Sequence, residues 1–276
     1  MYLITGCNGQ LGTELKKLLP NAICADVDTL DITDAVAVNK FVNENNIDLI
    51  INCAAYTAVD RAESDIDLAK KINTDGPKNL AQSGAKLIHI STDYVFDGTG
   101  HIPYTPDDET NPTSVYGKTK RDGELAVIEN SECYVIIRTA WLYSVYGNNF
   151  VKTMRRLGAE RNEINVVSDQ IGTPTYASDL AAAIVKIIPQ MTRENSGIYH
   201  FTNMGVCSWY DFAIEIMELS DITCMVNPIK TSQYPTPATR PSYSVLDKSK
   251  ITETFGIKIP HWRDGLKRCI YELRKN

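Results

Sequence analysis

The chain has 276 residues, 43% hydrophobic and 22% charged, which suits one large α/β domain or a domain with a smaller lobe. Its net charge of −6 argues against nucleic acid as the main partner, because nucleic-acid binders neutralise phosphates with basic residues. No apolar run approaches the length of a membrane-spanning helix, so we expect no membrane partner.

The cysteines and histidines form no pattern of metal ligands, and no metal site is predicted. Seven cysteines include no Cys-x-x-Cys pair, and Cys24, Cys53 and Cys133 lie in apolar runs, as expected for buried thiols in a reducing compartment. The chain enters a strand at Tyr2, without the charged start of a signal peptide. We therefore expect a cytoplasmic protein. The sequence is compatible with either a monomer or a homodimer.

The first predicted strand, Tyr2–Thr5, leads through a glycine-rich turn into a helix over residues 13–19. Gly6 permits the tight turn, Gly9 lets the backbone approach a pyrophosphate, and Gly12 lets the helix pack closely on the strand. The helix N-terminus then offers free N–H groups and a positive dipole to phosphates. Strand, turn and helix in this order predict a dinucleotide site.

A second strand over residues 22–25 ends at Asp26, twenty positions beyond Gly6. A carboxylate at this distance is expected to accept hydrogen bonds from the adenosine ribose and to repel a 2′-phosphate, which mildly favours NADH over NADPH. The alternative is a strand-end aspartate that caps a turn. Residues 30–34 are predicted to begin a helix, with Asp31 and Ile32 at the edge of the adenine.

Further strands alternate with helices. A third strand over residues 48–53 precedes Ala54 and Ala55, small residues that let a flat cofactor lie against the backbone. A helix over 65–83 leads to a fourth strand over 86–91, which ends next to Thr92. With a fifth strand at 133–138, this alternation predicts an α/β fold with a Rossmann-type, doubly wound parallel sheet, and ligands beyond the strand C-termini.

Tyr116 and Lys120 are four residues apart and share one face of a predicted helix. An ammonium group beside a phenol favours the phenolate, so we expect Lys120 to lower the pKa of Tyr116. Such a phenol can give a proton to a developing alkoxide. The same spacing also occurs by chance on solvated helix faces.

The C-terminal half is less regular. It is predicted to hold helices at 150–157, 177–188, 209–219 and 262–274 and strands at 164–167, 197–202 and 224–229. We expect a Rossmann domain over residues 1–145 and a smaller α/β substrate lobe over 146–276, with some segments interleaved. In the proline-rich loop 231–241, Arg240 either grips a diphosphate or is a surface arginine.

Taken together, the glycine turn, the threonine after the fourth strand and the Tyr-x-x-x-Lys pair resemble the extended short-chain dehydrogenase/reductase family. Finer motifs are similar to those of one subfamily, the dTDP-4-dehydrorhamnose reductases, nearly from end to end. They are residues 52–60 (NCAAYTAVD), 91–96 (STDYVF), 115–120 (VYGKTK), 138–141 (RTAW), 147–150 (GNNF), 169–175 (DQIGTPT) and 240–241 (RP).

The resemblance implies reduction of the C4 keto group of a nucleotide-linked 4-keto-6-deoxy sugar by NADH or NADPH, in surface polysaccharide synthesis. It implies that Tyr116 is the catalytic acid, Lys120 its partner, and Thr92 the hydroxyl that orients the carbonyl. Asp93 and Trp141 would contact the sugar nucleotide. The residues that match the family's cofactor contacts are Gly9, Gln10, Leu11, Asp26, Asp31, Ile32, Ala55, Tyr56 and Thr57.

Related activities share this pattern. Nucleotide-sugar dehydratases need a glutamate directly after the Thr-Asp pair, where this chain has Tyr94, so dehydration is disfavoured. Another nucleotide-sugar 4-reductase, or a 4-epimerase that keeps its NAD bound, remains open. A regulatory subunit of another enzyme is the non-enzymatic alternative, against which intact Thr92, Tyr116 and Lys120 argue.

Overall fold

A computed structural model describes residues 1–275. At its centre lies a parallel sheet of six strands in the order β10-β5-β4-β3-β1-β2, which confirms the predicted doubly wound α/β fold. The strands are β1 Tyr2–Thr5, β2 Ile23–Ala25, β3 Leu49–Asn52, β4 Lys86–Thr92, β5 Tyr134–Thr139, β6 Leu142–Tyr143, β7 Glu163–Val167, β8 Ile171–Gly172, β9 Thr175–Tyr176, β10 Gly197–His200, β11 Cys207–Ser208 and β12 Met225–Ile229.

The helices cover both faces of this sheet and form a second cluster beside it. They are α1 Gln10–Leu18, α2 Ala35–Glu44, α3 Val59–Ala62, α4 Ile66–Lys70, α5 Gly76–Gln82, α6 Val115–Asn130, α7 Phe150–Glu160, α8 Ala177–Ile187, α9 Trp209–Ser220, α10 Ser249–Phe255 and α11 Trp262–Lys275. Within residues 1–275, no helix combines the length and apolar character needed to cross a bilayer.

The central strands are rich in apolar residues because both faces of the sheet are buried. Successive side chains alternate between the faces, so Leu3 joins one core and its neighbour Ile4 the other. The core around Ile4 includes Leu15 of α1 and Ile184 of α8, whereas the core around Leu3 is completed by α2, α5 and α6. This packing holds the carboxyl ends of β1, β3, β4 and β5 along one edge.

A further core lies among α7, α9 and α11, where Phe212, Ile216 and Leu266 are fully buried. Three two-stranded sheets accompany it, pairing β8 with β11, β7 with β12 and β6 with β9. Between α8 and β11 the chain contributes one strand to the central sheet: β10 pairs with β5 and forms the edge of that sheet. The predicted strands and helices of this half are present, with ends shifted by one to three residues.

Two predicted elements differ from the structure. The helix expected over 65–83 is divided into α4, a π-helical turn at Lys71–Asp75 and α5. The helix start expected within 30–34 was wrong: α2 begins at Ala35, because the Asp34 carboxylate caps it by accepting hydrogen bonds from the N–H groups of Val36 and Ala37.

Candidate active site

A cleft of about 820 Å³ opens at the carboxyl edge of the central sheet. It brings together most of the residues singled out from the sequence. Those that line it are Gly6, Gly9, Gln10, Leu11, Gly12, Asp26, Asp31, Ile32, Ala54, Ala55, Thr57, Thr92, Asp93, Tyr116, Lys120 and Trp141. Tyr56 and Arg240 lie outside the lining.

The glycine turn is shaped by close backbone approaches. Gly6 has a φ of +63°, and a Cβ there would lie 2.6 Å from the backbone nitrogen of Ala54. A Cβ on Gly12 would collide with the carbonyl oxygen of Gly6. Gly9 is the N-cap of α1 and no side chain caps the helix, so the N–H groups of its first turn are open to the cleft. The turn therefore fits a pyrophosphate, which α1 would bind through backbone N–H groups and its dipole.

Asp26 closes the same turn while it lines the cleft. Its carboxylate accepts hydrogen bonds from the N–H groups of Asn8 (3.1 Å) and Val27 (2.9 Å), so it caps a turn and also faces the cleft. Asp31 accepts hydrogen bonds from the side chain and backbone of Thr33, which lower the pKa of its carboxyl. Both carboxylates give this end of the cleft a negative charge.

Tyr56 is turned away from the cleft. Its hydroxyl donates a hydrogen bond to Asp65 (2.7 Å), and its backbone is held on both sides by the side chain of Asn73. Asn73 lies in the π-helical turn and also contacts Thr119, the residue before Lys120. It therefore ties the wall formed by Ala54 and its neighbours to α6. In the sequence Asn73 is a single amide residue within a predicted helix, and the helical periodicity does not set it apart from a surface residue.

Tyr116 lies in the first turn of α6, whose start is fixed by Ser114. The Ser114 hydroxyl accepts a hydrogen bond from the N–H of Gly117 (3.1 Å). A Cβ on Gly117 would collide with the carbonyl oxygen of Tyr94, so glycine allows α6 to lie against the segment after β4. The rings of Tyr94 and Tyr116 meet edge to face, with centroids 5.4 Å apart. Tyr116 is thereby placed next to Thr92.

The expected lowering of the Tyr116 pKa was wrong for this structure. Burial raises the pKa of this phenol above its usual value, and the negative charge of Asp93 raises it further, while a hydrogen-bonding contact with Thr92 opposes the shift. Burial also destabilises the ammonium of Lys120 and lowers its pKa to about 8. The Lys120 Nζ donates to the carbonyl oxygen of Ile90 (2.6 Å) instead. Desolvation is thus the largest cause of both pKa shifts.

Asp93 is a buried carboxylate at the floor of the cleft. Its Oδ1 accepts a hydrogen bond from the Thr92 hydroxyl (3.0 Å), and burial raises its pKa to about 6. In the part of the chain that the structure describes, its Oδ2 has no hydrogen-bond partner. A buried polar atom of this kind is costly unless a ligand satisfies it. Asp93 can therefore accept a hydrogen bond from a hydroxyl group bound in the cleft.

Trp141 lies in the cleft lining, whereas Arg240 does not. Trp141 lines the cleft with a left-handed φ of +50° and stacks on Trp209, with ring centroids 3.6 Å apart. Arg240 instead donates to the carboxylate of Asp60 (2.7 Å), while within residues 1–275 its buried Nη1 has no hydrogen-bond partner. Arg240 thus does not line the cleft, and part of its guanidinium is held in an ion pair with Asp60.

Sequence reasoning also missed residues of the lining. Lys71 and Ile72 belong to the π-helical turn, and Gly147 and Asn148 follow β6. Within residues 1–275, no group of three or more His, Cys, Asp or Glu side chains could hold a metal ion.

Comparison with known proteins gives a consistent result. The profile of one family, described as "RmlD substrate binding domain", matches residues 1–275. The chain is 41% identical to the "Spore coat polysaccharide biosynthesis protein SpsK" of Bacillus subtilis strain 168, over 98% of this chain and 96% of that protein.

Two solved structures are similar along nearly their whole length. A dTDP-4-dehydrorhamnose reductase from Clostridium acetobutylicum shares 50% sequence identity with a TM-score of 0.95, covering 99% of both chains. The dTDP-4-dehydrorhamnose reductase of Bacillus anthracis strain Ames, in complex with NADP, shares 44% identity with a TM-score of 0.94, covering 98% of both.

Proposed function

Because the chain belongs to the RmlD substrate binding domain family, we propose that it reduces the C4 keto group of dTDP-4-dehydrorhamnose to give dTDP-rhamnose, a precursor of surface polysaccharide. One observation carries this proposal. The same cleft joins an open glycine turn at α1 to Thr92 and Tyr116, so a nucleotide cofactor and a carbonyl-binding pair of hydroxyl groups share one space.

The cofactor is NADH or NADPH, as the NADP complex of the similar B. anthracis enzyme supports. When bound, the dihydronicotinamide supplies a hydride. Gly6, Gly9 and Gly12 would admit its pyrophosphate to the turn at α1. The other residues proposed to hold it are Gln10, Leu11, Asp26, Asp31, Ile32, Ala54, Ala55, Thr57, Tyr116 and Lys120.

Tyr116 and Thr92 would act on the carbonyl oxygen of the sugar. As negative charge grows on O4, the Tyr116 hydroxyl donates a hydrogen bond to it and then its proton. The Thr92 hydroxyl, which donates to Asp93 Oδ1 in this structure, would turn from that oxygen to donate to O4. The raised pKa of Tyr116 keeps the phenol protonated at neutral pH until that moment. The transfer remains favourable because an alkoxide is a much stronger base than a phenolate.

Asp93 and Trp141 are proposed to bind the substrate. We infer that the free Oδ2 of Asp93 accepts a hydrogen bond from a sugar hydroxyl and that the ring of Trp141 packs against the substrate. Arg240 would bind a diphosphate through Nη1, which has no hydrogen-bond partner within residues 1–275, while its Nη2 keeps the bond to Asp60.

The remaining expectations stand as proposals. We propose a cytoplasmic enzyme, a monomer or homodimer, without a nucleic-acid partner. We also propose a cofactor-binding unit over residues 1–145 and a substrate-binding unit over 146–276, with β10 returned to the first.

The test is steady-state oxidation of NADH and NADPH by the purified protein with a panel of 4-keto sugar nucleotides. We expect turnover to be fastest with dTDP-4-dehydrorhamnose and absent with dTDP-glucose, which has no keto group. Cofactor that stays bound through gel filtration, with sugar epimerisation and no net oxidation, would indicate an epimerase and contradict the proposal.

A further inference from the structure

A chain of buried polar side chains leads from β1 to Lys120 behind the cleft. The Asn52 Oδ1 accepts hydrogen bonds from the Thr5 hydroxyl (2.7 Å) and from the backbone N–H of Ala54 (3.1 Å). Since a backbone N–H can only donate, this contact fixes which end of the amide is oxygen. The Asn52 Nδ2 must then face His89, where it lies 3.0 Å from Nδ1.

This contact determines the tautomer of His89. The Nδ2 group of Asn52 carries only donor hydrogens, so His89 Nδ1 accepts and is unprotonated. His89 is fully buried and its pKa lies well below the usual value because of desolvation, so the ring is neutral. The one ring proton is therefore on Nε2, which lies 3.4 Å from Lys120 Nζ.

A donor facing Lys120 has a consequence for the charge of the lysine. An ammonium group carries three N–H donors and no acceptor, so it cannot form a hydrogen bond with the N–H of His89. A neutral amine has a lone pair that can accept from it, while one of its own hydrogens still reaches the carbonyl oxygen of Ile90. The arrangement therefore destabilises the ammonium of Lys120 and makes its proton easier to lose.

Other groups around Lys120 offset only part of this destabilisation of the ammonium. Those that face it are Glu124 on its own helix, the thiol of Cys53 at the end of β3, and His89 on β4. The Glu124 carboxylate favours the ammonium, but it is already held by two hydrogen bonds from Arg138 and one from Ser91. With Lys120 only 2% exposed, water does not stabilise the charge either.

We propose that His89 is a positioning residue that acts through Lys120: its Nε2–H tautomer, fixed by Asn52, weakens the hold of the lysine on its proton. A loosely held proton is readily given up, so Lys120 can return a proton to Tyr116 after each turnover. In that transfer an N–H bond of Lys120 breaks, an O–H bond of Tyr116 forms, and solvent later restores the ammonium. This role rests on the proposed reductase function.

The tautomer is tested first, without any assay of activity. Nitrogen-15 NMR of the wild-type protein, labelled at histidine, distinguishes a protonated from an unprotonated ring nitrogen. The variants His101→Gln, His200→Gln and His261→Gln assign the His89 signals by elimination. We expect an unprotonated Nδ1 and a protonated Nε2 at neutral pH. A protonated Nδ1 or an imidazolium would overturn the inference.

The effect on Lys120 is tested by the pH profile of kcat. If turnover needs the ammonium, the rate falls as pH rises through the Lys120 pKa. His89→Gln can present its amide oxygen to Nζ, which stabilises the ammonium and should move this alkaline limb upward by about one pH unit, a tenfold change in the ionisation constant. A purely structural role would lower kcat at all pH values without moving the limb, and would overturn the inference.

His200→Gln is the matched control, because His200 is also fully buried in the central sheet and does not contact Lys120. Its alkaline limb should stay where the wild type has it. If the wild type oxidised neither NADH nor NADPH with a 4-keto sugar nucleotide, the reductase function and the turnover role of His89 would be overturned, whereas the NMR experiment would still decide the tautomer.

Discussion

Glu124 holds Arg138 through two parallel hydrogen bonds of 2.8 Å, and neither side chain is more than 2% exposed. The pair joins α6, which carries Tyr116 and Lys120, to β5 of the central sheet. Because both charges are buried, each is tolerable only while the other is present.

We expect Glu124→Gln to lower the free energy of unfolding by about 3 kcal/mol or more, because it leaves the Arg138 guanidinium buried without its counter-charge. Urea unfolding at neutral pH measures this. Glu160→Gln is the control, since Glu160 forms an exposed pair with Arg156 and should change stability by less than about 0.5 kcal/mol. Equal effects of the two variants would contradict the prediction.

Tyr116→Phe should retain cofactor binding but lose turnover. Removal of the phenolic hydroxyl takes away the proton donor and one hydrogen bond to O4, so kcat should fall on the order of a hundred- to a thousand-fold. Fluorescence titration with NADPH and steady-state kinetics separate the two effects. Tyr134→Phe, in β5 and outside the cleft, should behave as wild type. Near-normal turnover of the Tyr116 variant would remove the acid from the mechanism.

Asp26→Ala should shift cofactor preference toward NADPH. The Asp26 carboxylate lines the cleft at the turn where the adenosine ribose is proposed to lie, and it would repel a 2′-phosphate. Loss of this repulsion should change the NADPH/NADH ratio of kcat/KM by roughly five- to tenfold. The neighbouring, exposed Asp28 provides the control variant Asp28→Ala. A ratio that does not move would leave Asp26 as a turn cap alone.

Asp93→Asn should stabilise the protein in a pH-dependent way. The folded-state pKa of Asp93 is about 6, above the ordinary value of 3.8, so the fold favours the protonated acid. Below about pH 4 both states are protonated and this ionisation penalty disappears, whereas it grows as pH rises from about 4 to 6 and levels off at roughly 3 kcal/mol at higher pH. The asparagine variant should therefore exceed wild type in unfolding free energy at pH 7.5 but not at pH 4.

Unfolding in urea at these two pH values, followed by circular dichroism, makes the comparison. A stability difference that is the same at both pH values would show that Asp93 is not the titrating group. We also expect the variant to reduce the substrate more slowly, since a residue kept at a cost to stability is commonly kept for function.

Features set by local spacing were predictable from the sequence. The glycine turn before α1 is dictated by three glycines and the strand before them. Thr92 ends β4 and Tyr116 lies in the first turn of α6, and both line the cleft where the carboxyl ends of the parallel strands meet. The central strands were predictable because each contains a short stretch rich in apolar residues.

Features set by partners distant in the chain were not predictable. Arg240 bonds to Asp60, 180 residues away, and nothing near either residue indicates the pair. The pKa of Tyr116 depends on how deeply α6 is buried, which the helix sequence alone does not reveal. The contact between Asn52 and His89 exists only because β3 and β4 pair in one register.

The position of β10 at the sheet edge has a consequence for folding of the nascent chain. The ribosome synthesises β10 after α7 and α8. Until β10 has been made, the backbone N–H and C=O groups on the outer edge of β5 have no strand to pair with. A shortened gene product ending before Gly197 should keep that edge open and aggregate. We therefore expect soluble expression to depend on how soon β10 pairs with β5 after it is synthesised.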